Sequence, residues 1–176
     1  MASRLAGDGY SALAVDLLSE EGGTSKVPAA DVSAALNRAG LPRMRGDLTA
    51  TIDELVKRTP GLKIGLIGFC FGGTVAWDFL TVGDARLAAA APCYGTVPPD
   101  VNFEKNKAAV LGVYGETDTR VNATRETAKA ALDKTNVPHE IKTYAGVGHA
   151  FYSQVESEQS QAAYSDVLNW FGRYLR

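Results

Sequence analysis

Lys63-Ile-Gly-Leu-Ile-Gly-Phe-Cys-Phe-Gly-Gly-Thr-Val-Ala-Trp-Asp78 is the stretch that decides the fold of this chain. Ile64 to Phe69 is a short apolar run bounded by turn residues, which predicts a buried strand. From Gly72 onward the apolar residues recur at near-helical spacing, which predicts a helix. The sequence therefore predicts a strand that turns directly into a helix.

The turn between strand and helix, Gly68-Phe-Cys-Phe-Gly72, has the spacing of a nucleophile elbow, G-x-S-x-G, with cysteine in place of serine. Such a turn holds its central residue in strained geometry above the sheet edge, at a helix N-terminus that favours a thiolate. We expect a Cβ at Gly68 or Gly72 to crowd the turn. Cys70 is then the predicted nucleophile, and the backbone N–H of Phe71 a predicted oxyanion-hole donor. The alternative of a phosphate-binding loop lacks both the P-loop lysine and the G-x-G-x-x-G pattern.

The composition is that of an ordinary globular domain of 176 residues. A net charge of −2 argues against nucleic acid or an anionic membrane as a partner. No apolar run approaches the roughly 20 residues that span a bilayer, and the N-terminal residues lack the apolar core of a signal peptide. We therefore expect a single domain over residues 1–176 and, by default, a cytoplasmic location.

The cysteines and histidines are few. Cys70 and Cys93 are both expected to be free, and Cys93 is expected to be a small core residue. The two histidines, His139 and His149, show no metal-ligand spacing with each other or with the cysteines. We expect no metal site.

Alternating strands and helices predict the architecture. About five strands are predicted, at Tyr10–Leu17, Ile64–Phe69, Leu87–Tyr94, Ala109–Tyr114 and Glu140–Tyr144, with helices between them. Strands separated by helices predict a mostly parallel sheet with helices on both faces. In such sheets ligands bind at the C-terminal ends of the strands.

Three reactive side chains follow predicted strand ends, in the order nucleophile, acid, histidine that α/β hydrolases use: Cys70, Asp118 and His149. In the predicted roles His149 takes the thiol proton, Asp118 orients the imidazole and Cys70 attacks an ester carbonyl. Considered alone, Asp118 is equally consistent with a carboxylate that caps a helix, and His149 with an ordinary loop histidine. Glu116 is an alternative acid, and His139, at a strand start on the other edge, is expected at the surface.

The segments Gly68–Gly73, Gly115–Val121 and Gly146–Phe151 closely resemble the dienelactone hydrolase family, as does the opening Leu5–Leu18. The resemblance covers essentially the whole chain. It implies an α/β-hydrolase fold and a triad of Cys70, Asp118 and His149. It also implies hydrolysis of small esters or lactones such as dienelactone, without a cofactor, by a cytoplasmic monomer. Tyr94 and Phe151 are expected at the substrate pocket.

Two departures from the family pattern bear on activity. The family binds its substrate's carboxylate partly through an arginine four residues past the histidine, where this chain has Ser153; Arg120 and Arg125 are other cations in the region. Family members also begin with further strands, one of which lies mid-sheet and supplies the second oxyanion donor. We expect either a shortened chain or a sheet closed again with Tyr10–Leu17 beside Ile64–Phe69. In both cases we expect a weak hydrolase, because losing one donor costs about 2.7–4 kcal/mol.

Two other functions stay open at this point. One is a binding domain that keeps the fold and has no catalysis, because a site needs its full geometry to react. The other is a carboxylesterase or thioesterase that acts on a different acyl group.

Overall fold

The computed structural model describes all 176 residues, which group into two compact units, Met1–Leu62 and Lys63–Arg176. The first unit holds helix α1 (Ala2–Gly7), 3-10 turns at Ser19–Glu21 and Ala29–Asp31, and the long helix α2 (Val32–Arg58). Gly40 interrupts α2 with a φ of 72° and a ψ of 157°.

The predicted strand Tyr10–Leu17 is wrong, because the structure forms no strand in this segment. The Asp16 carboxylate instead accepts hydrogen bonds from the N–H groups of Leu18 and Thr24, at 3.0 and 2.9 Å, and from the Thr24 hydroxyl at 2.6 Å. Such local bonds offer the backbone an alternative to a sheet ladder. The chain therefore has four strands rather than five, and the expected closure of the sheet by this segment does not occur.

The second unit contains one parallel sheet of four strands in the order β1 (Ile64–Phe69), β2 (Leu87–Cys93), β3 (Ala109–Gly115), β4 (His139–Tyr144). Its helices are α3 (Phe71–Leu80), α4 (Thr119–Asn122), α5 (Arg125–Leu132) and α6 (Glu158–Tyr174). A 3-10 turn at Phe151–Ser153 precedes α6. These four strands confirm the predicted parallel α/β sheet.

Helices α3 and α6 cover opposite faces of the sheet. A Cβ added to Gly65 in β1 would meet the side chains of Phe171 in α6 and Leu175 just beyond it, whereas one added to Gly68 would meet the backbone at the start of α3. Because successive strand residues point to opposite faces, positions 65 and 68 face opposite ways. Strand β3 is buried along its whole length, as expected for a parallel strand covered on both faces.

Parallel pairing brings the exits of all four strands to one edge of the sheet. Cys70 comes one residue after β1, Tyr94 directly after β2, Asp118 three residues after β3 and His149 five residues after β4. The topology alone therefore places these residues at a common edge.

The glycines around the β1–α3 turn are not equivalent. A Cβ at Gly68 would overlap the carbonyl group of Gly72, and a Cβ at Gly73 would overlap the Cys93 carbonyl at the end of β2. A Cβ at Gly72 would meet nothing within 4 Å. The expectation that Gly72 is sterically required is therefore wrong, and the requirement falls on its neighbours at 68 and 73.

Alanine at positions 68 and 72 provides a matched test of this packing. We expect Gly68→Ala to lower the free energy of unfolding by about 1–3 kcal/mol or more, because the clash is with backbone that cannot rotate away. Gly72→Ala, within α3, is expected to leave stability unchanged or raise it by up to ~1 kcal/mol. Urea unfolding followed by circular dichroism measures both, and equal destabilisation by the two variants would contradict the assignment.

Candidate active site

Cys70 lies at the N-cap position of α3 in strained backbone geometry, with a φ of 55° and a ψ of −117°. Its N–H donates to the Cys93 carbonyl at 3.0 Å, which fixes the turn to the end of β2. The residue is exposed, so its sulfur is open to a ligand. Phe71 is the first residue of α3, and the N–H of a first helical residue has no partner within the helix. The N–H of Phe71 therefore has no helical partner that would compete with an oxyanion.

His149 joins the other two predicted residues through its two ring nitrogens. Nε2 lies 2.9 Å from Cys70 Sγ, and Nδ1 lies 2.5 Å from Asp118 Oδ2. With Nδ1 donating to the carboxylate, Nε2 is the nitrogen that exchanges a proton with the sulfur. The structure thus brings together all three side chains that the sequence singles out.

The Asp118 carboxylate is fixed by a contact with its own backbone turn as well as by its contact with His149. Its carboxylate is 7% exposed and caps the short helix α4 by accepting the N–H of Val121 at 3.3 Å. The other carboxylate oxygen is the one that faces His149. One carboxyl group therefore fixes its own backbone turn and the orientation of the imidazole at the same time.

The loops that carry the acid and the histidine are hydrogen-bonded to each other. The N–H of Thr117 donates to the Val147 carbonyl at 3.0 Å, and the Glu116 carboxylate accepts the N–H of Gly146 at 2.8 Å. The Asn122 side-chain amide donates to the Glu116 carbonyl at 3.0 Å. Glu116, the alternative acid of the sequence analysis, therefore bonds to the histidine loop and not to the imidazole.

An aromatic cluster lies behind the triad. The Tyr94 and Phe151 rings are buried, at 4% and 1% exposed, and they contact each other with centroids 5.7 Å apart. Phe69 and Tyr152 join them, and the Tyr94 ring also contacts the imidazole of His149 at 5.3 Å. Their expected role as substrate-pocket residues stays a prediction. Phe69 and Tyr152 were not predicted as site residues, although they directly flank Cys70 and Phe151 in the sequence.

The side chains of Cys93 and His139 take no part in the triad. Cys93 is fully buried in β2, as predicted for a core residue, and burial raises the pKa of its thiol. Neither cysteine is in a disulfide. His139 begins β4 at the opposite edge of the sheet and contacts Asp133 Oδ1 at 3.1 Å. Only one cysteine and one histidine are thus available at the C-terminal edge.

The other cations of the region, Arg120 and Arg125, lie near the surface. Arg125 donates to the Thr143 hydroxyl at 3.0 Å and to Glu126 at 3.2 Å, on the surface between α5 and β4. Arg120 is exposed on α4. The Ser153 hydroxyl donates to the Ala150 carbonyl at 2.8 Å and so closes the turn that follows the histidine.

Two wider features of the chain complete the description. No three His, Cys, Asp or Glu side chains come close enough together to hold a metal ion. None of the helices combines the length and hydrophobicity that a membrane-spanning segment needs.

Comparison with known proteins places this geometry in context. A provisionally named carboxymethylenebutenolidase of Salmonella typhimurium is 29% identical, over 97% of this chain and 70% of its own length. The crystal structure of a provisionally named dienelactone hydrolase from Klebsiella pneumoniae superposes with a TM-score of 0.80 at 25% identity, covering 97% of this chain and 78% of that one. A dienelactone hydrolase-like promiscuous phosphotriesterase from metagenomic libraries superposes with a TM-score of 0.84 at 23% identity, covering 98% and 78%.

The match to the family itself is nearly complete. The sequence model of the dienelactone hydrolase family aligns with residues 1–175, and the neighbours in structure share the α/β-hydrolase fold. Together with the strand-edge arrangement of Cys70, Asp118 and His149, this extent of agreement shows that the chain belongs to the dienelactone hydrolase family.

Proposed function

We propose that the protein hydrolyses a small carboxylic ester or lactone through a thioester on Cys70. The observation that carries the proposal is the continuous path from Cys70 Sγ to His149 Nε2 and from Nδ1 to Asp118, at 2.9 and 2.5 Å. The family to which the chain belongs supports ester or lactone hydrolysis as the reaction type. Because the other thiol, that of Cys93, is fully buried, Cys70 is the candidate nucleophile.

In the first half-reaction His149 Nε2 takes the thiol proton, and the thiolate attacks the carbonyl carbon of the ester. The negative charge that develops on the carbonyl oxygen falls to the N–H of Phe71, which lies at the N-terminal end of α3. The tetrahedral adduct collapses with loss of the alcohol oxygen, and the imidazolium protonates that leaving group. Asp118 stabilises the imidazolium throughout.

In the second half-reaction His149 removes a proton from water, and the hydroxide attacks the thioester carbonyl. The carbon–sulfur bond breaks, the carboxylic acid departs and the thiol takes its proton back from the imidazolium. Phe71 supplies one oxyanion donor, and a single such donor contributes about 2.7–4 kcal/mol of transition-state stabilisation.

An activated ester tests the reaction directly. With p-nitrophenyl acetate we expect a measurable turnover that Cys70→Ala abolishes, together with an acyl-enzyme of the expected added mass in rapidly acid-quenched samples of the wild type. Cys93→Ala is the matched control and is expected to keep its turnover, because the Cys93 sulfur is buried in β2. Hydrolysis that survives Cys70→Ala would refute the proposal.

Alkylation separates a reactive enzyme thiol from a thiol in a binding domain. At pH 7 an ordinary cysteine is only a few per cent thiolate, so we expect iodoacetamide to label Cys70 at least about tenfold faster in the wild type than in His149→Ala. Cys93 is expected to react only after unfolding, because burial raises the pKa of its thiol. Mass spectrometry of peptides locates the label. Equal labelling rates in the wild type and His149→Ala would favour a domain without catalysis.

The two candidate acids are distinguished by paired amide substitutions. Asp118→Asn is expected to lower kcat at least about tenfold, because an amide can stabilise the wrong imidazole tautomer and carries no charge. Glu116→Gln keeps a carbonyl oxygen for the N–H of Gly146, so we expect kcat to stay within about twofold. Steady-state kinetics on the same ester measure both. A larger loss for Glu116→Gln would reverse the assignment of the acid.

A further inference from the structure

Backbone strain in this protein is concentrated around the triad. Three residues other than glycine have a positive φ: Cys70 at 55°, Tyr94 at 38° and Ala150 at 59°. The first is the proposed nucleophile, and the third directly follows His149. Strained backbone persists where the surrounding structure enforces it, and it clusters at functional sites. Tyr94 is the one of the three that the proposed mechanism leaves without a role.

The conformation of Tyr94 is enforced by its neighbours. Its N–H donates to the Val113 carbonyl at 2.7 Å, which fixes the end of β2 to β3. The next residue, Gly95, lies so close to α3 that a Cβ at Gly95 would overlap the backbone of Gly73, and a Cβ at Gly73 would approach the backbone N of Gly95. The loop after β2 therefore has no room to relax, and Tyr94 stays in the left-handed region.

A bulky side chain at such a position is costly. Glycine or asparagine occupies a positive φ readily, whereas an unfavourable φ costs an ordinary residue on the order of 1–3 kcal/mol. If position 94 served only to connect β2 to the next loop, glycine or asparagine would adopt this φ with less strain. The presence of tyrosine here therefore indicates that its ring has a role.

The ring meets the histidine of the triad. The centroids of Tyr94 and His149 are 5.3 Å apart, and their planes are inclined at 70°, an edge-to-face contact. On its other sides the Tyr94 ring contacts Phe69 at 6.2 Å, Phe151 at 5.7 Å and Tyr152 at 6.3 Å. Three aromatic neighbours and a fixed backbone leave the ring little freedom, so it forms a rigid wall for the imidazole.

We propose that Tyr94 is a positioning residue whose ring holds the His149 imidazole in the orientation that directs Nε2 to Cys70 and Nδ1 to Asp118. The side chain of His149 is 34% exposed, so the two hydrogen bonds at its nitrogens leave it free to tilt about the line that joins them. An edge-to-face ring contact restrains that tilt. The proposal rests on the proposed function, in which His149 is the base, and assigns the effect to the ring and not to the hydroxyl.

Three variants at position 94 test the proposal. Tyr94→Asn removes the ring and tolerates the positive φ, Tyr94→Leu removes the ring and keeps an apolar side chain, and Tyr94→Phe removes only the hydroxyl. Phe103→Leu is the matched control, because Phe103 is equally buried and its ring contact is with Trp77. Unfolding midpoints establish which variants are folded at the assay temperature. One folded variant of the two that lack the ring, Tyr94→Asn or Tyr94→Leu, is enough for the test.

We expect the ringless variants to lower kcat on p-nitrophenyl acetate at least about tenfold, because an untethered imidazole is misdirected. The rate of Cys70 alkylation at pH 7 is expected to fall in parallel. A loss confined to KM would instead assign Tyr94 to the substrate pocket alone and would contradict the proposal. Tyr94→Phe and Phe103→Leu are expected to stay within about threefold of the wild type in both measurements, apart from any loss of stability.

Two other results would also overturn the proposal. One is a folded ringless variant that keeps kcat and the alkylation rate within twofold of the wild type. The other is a Tyr94→Phe variant that loses as much as the ringless variants, which would assign the effect to the hydroxyl. Failure of the proposed function would look different: ester hydrolysis would survive Cys70→Ala, while the alkylation series would still report whether Tyr94 holds the histidine against the sulfur.

Discussion

The hydrogen bond from the Cys70 N–H to the Cys93 carbonyl is the contact on which the site depends. It ties the strand-to-helix turn to the end of the neighbouring strand, and it forms only because glycines at positions 68, 73 and 95 let three pieces of backbone approach closely. Any side chain larger than hydrogen at these points would push α3 away from the sheet. The direction of the sulfur is therefore set by backbone packing.

The acid and the histidine reach that sulfur by a second route. Each lies in a loop that leaves a different strand, and the two loops are joined by backbone bonds and by the Glu116 carboxylate. Because the two loops are hydrogen-bonded to each other, the relative position of Asp118 and His149 is fixed by contacts other than those with Cys70. The aromatic cluster of Phe69, Tyr94, Phe151 and Tyr152 then fills the space behind them.

Strain and exposure are distributed unevenly within this arrangement. The three positive φ values at residues other than glycine and the one exposed cysteine lie at the C-terminal edge of the sheet, whereas β2, β3 and the inward faces of α3 and α6 form a buried core. A rigid core is what allows an edge to hold unfavourable backbone geometry. The thiol chemistry divides in the same way, since Cys70 is open to solvent and Cys93 is fully buried.

The sequence by itself determined the elements of the sheet from Ile64 onward and the three residues at their exits. Local patterns carried that information: an apolar run, a G-x-C-x-G turn, and an acid and a histidine after later strands. It misjudged Tyr10–Leu17, because an apolar run becomes a strand only where a ladder partner exists, and here Asp16 bonds locally instead. The sequence also wrongly indicated that Gly72 is sterically required, because the spacing of glycines does not show which backbone passes near each of them. The tertiary structure alone showed that Asp118 and not Glu116 contacts the imidazole, and that Tyr94 packs against His149. Contacts between such distant segments depend on how the loops pack and not on the order of residues along the chain.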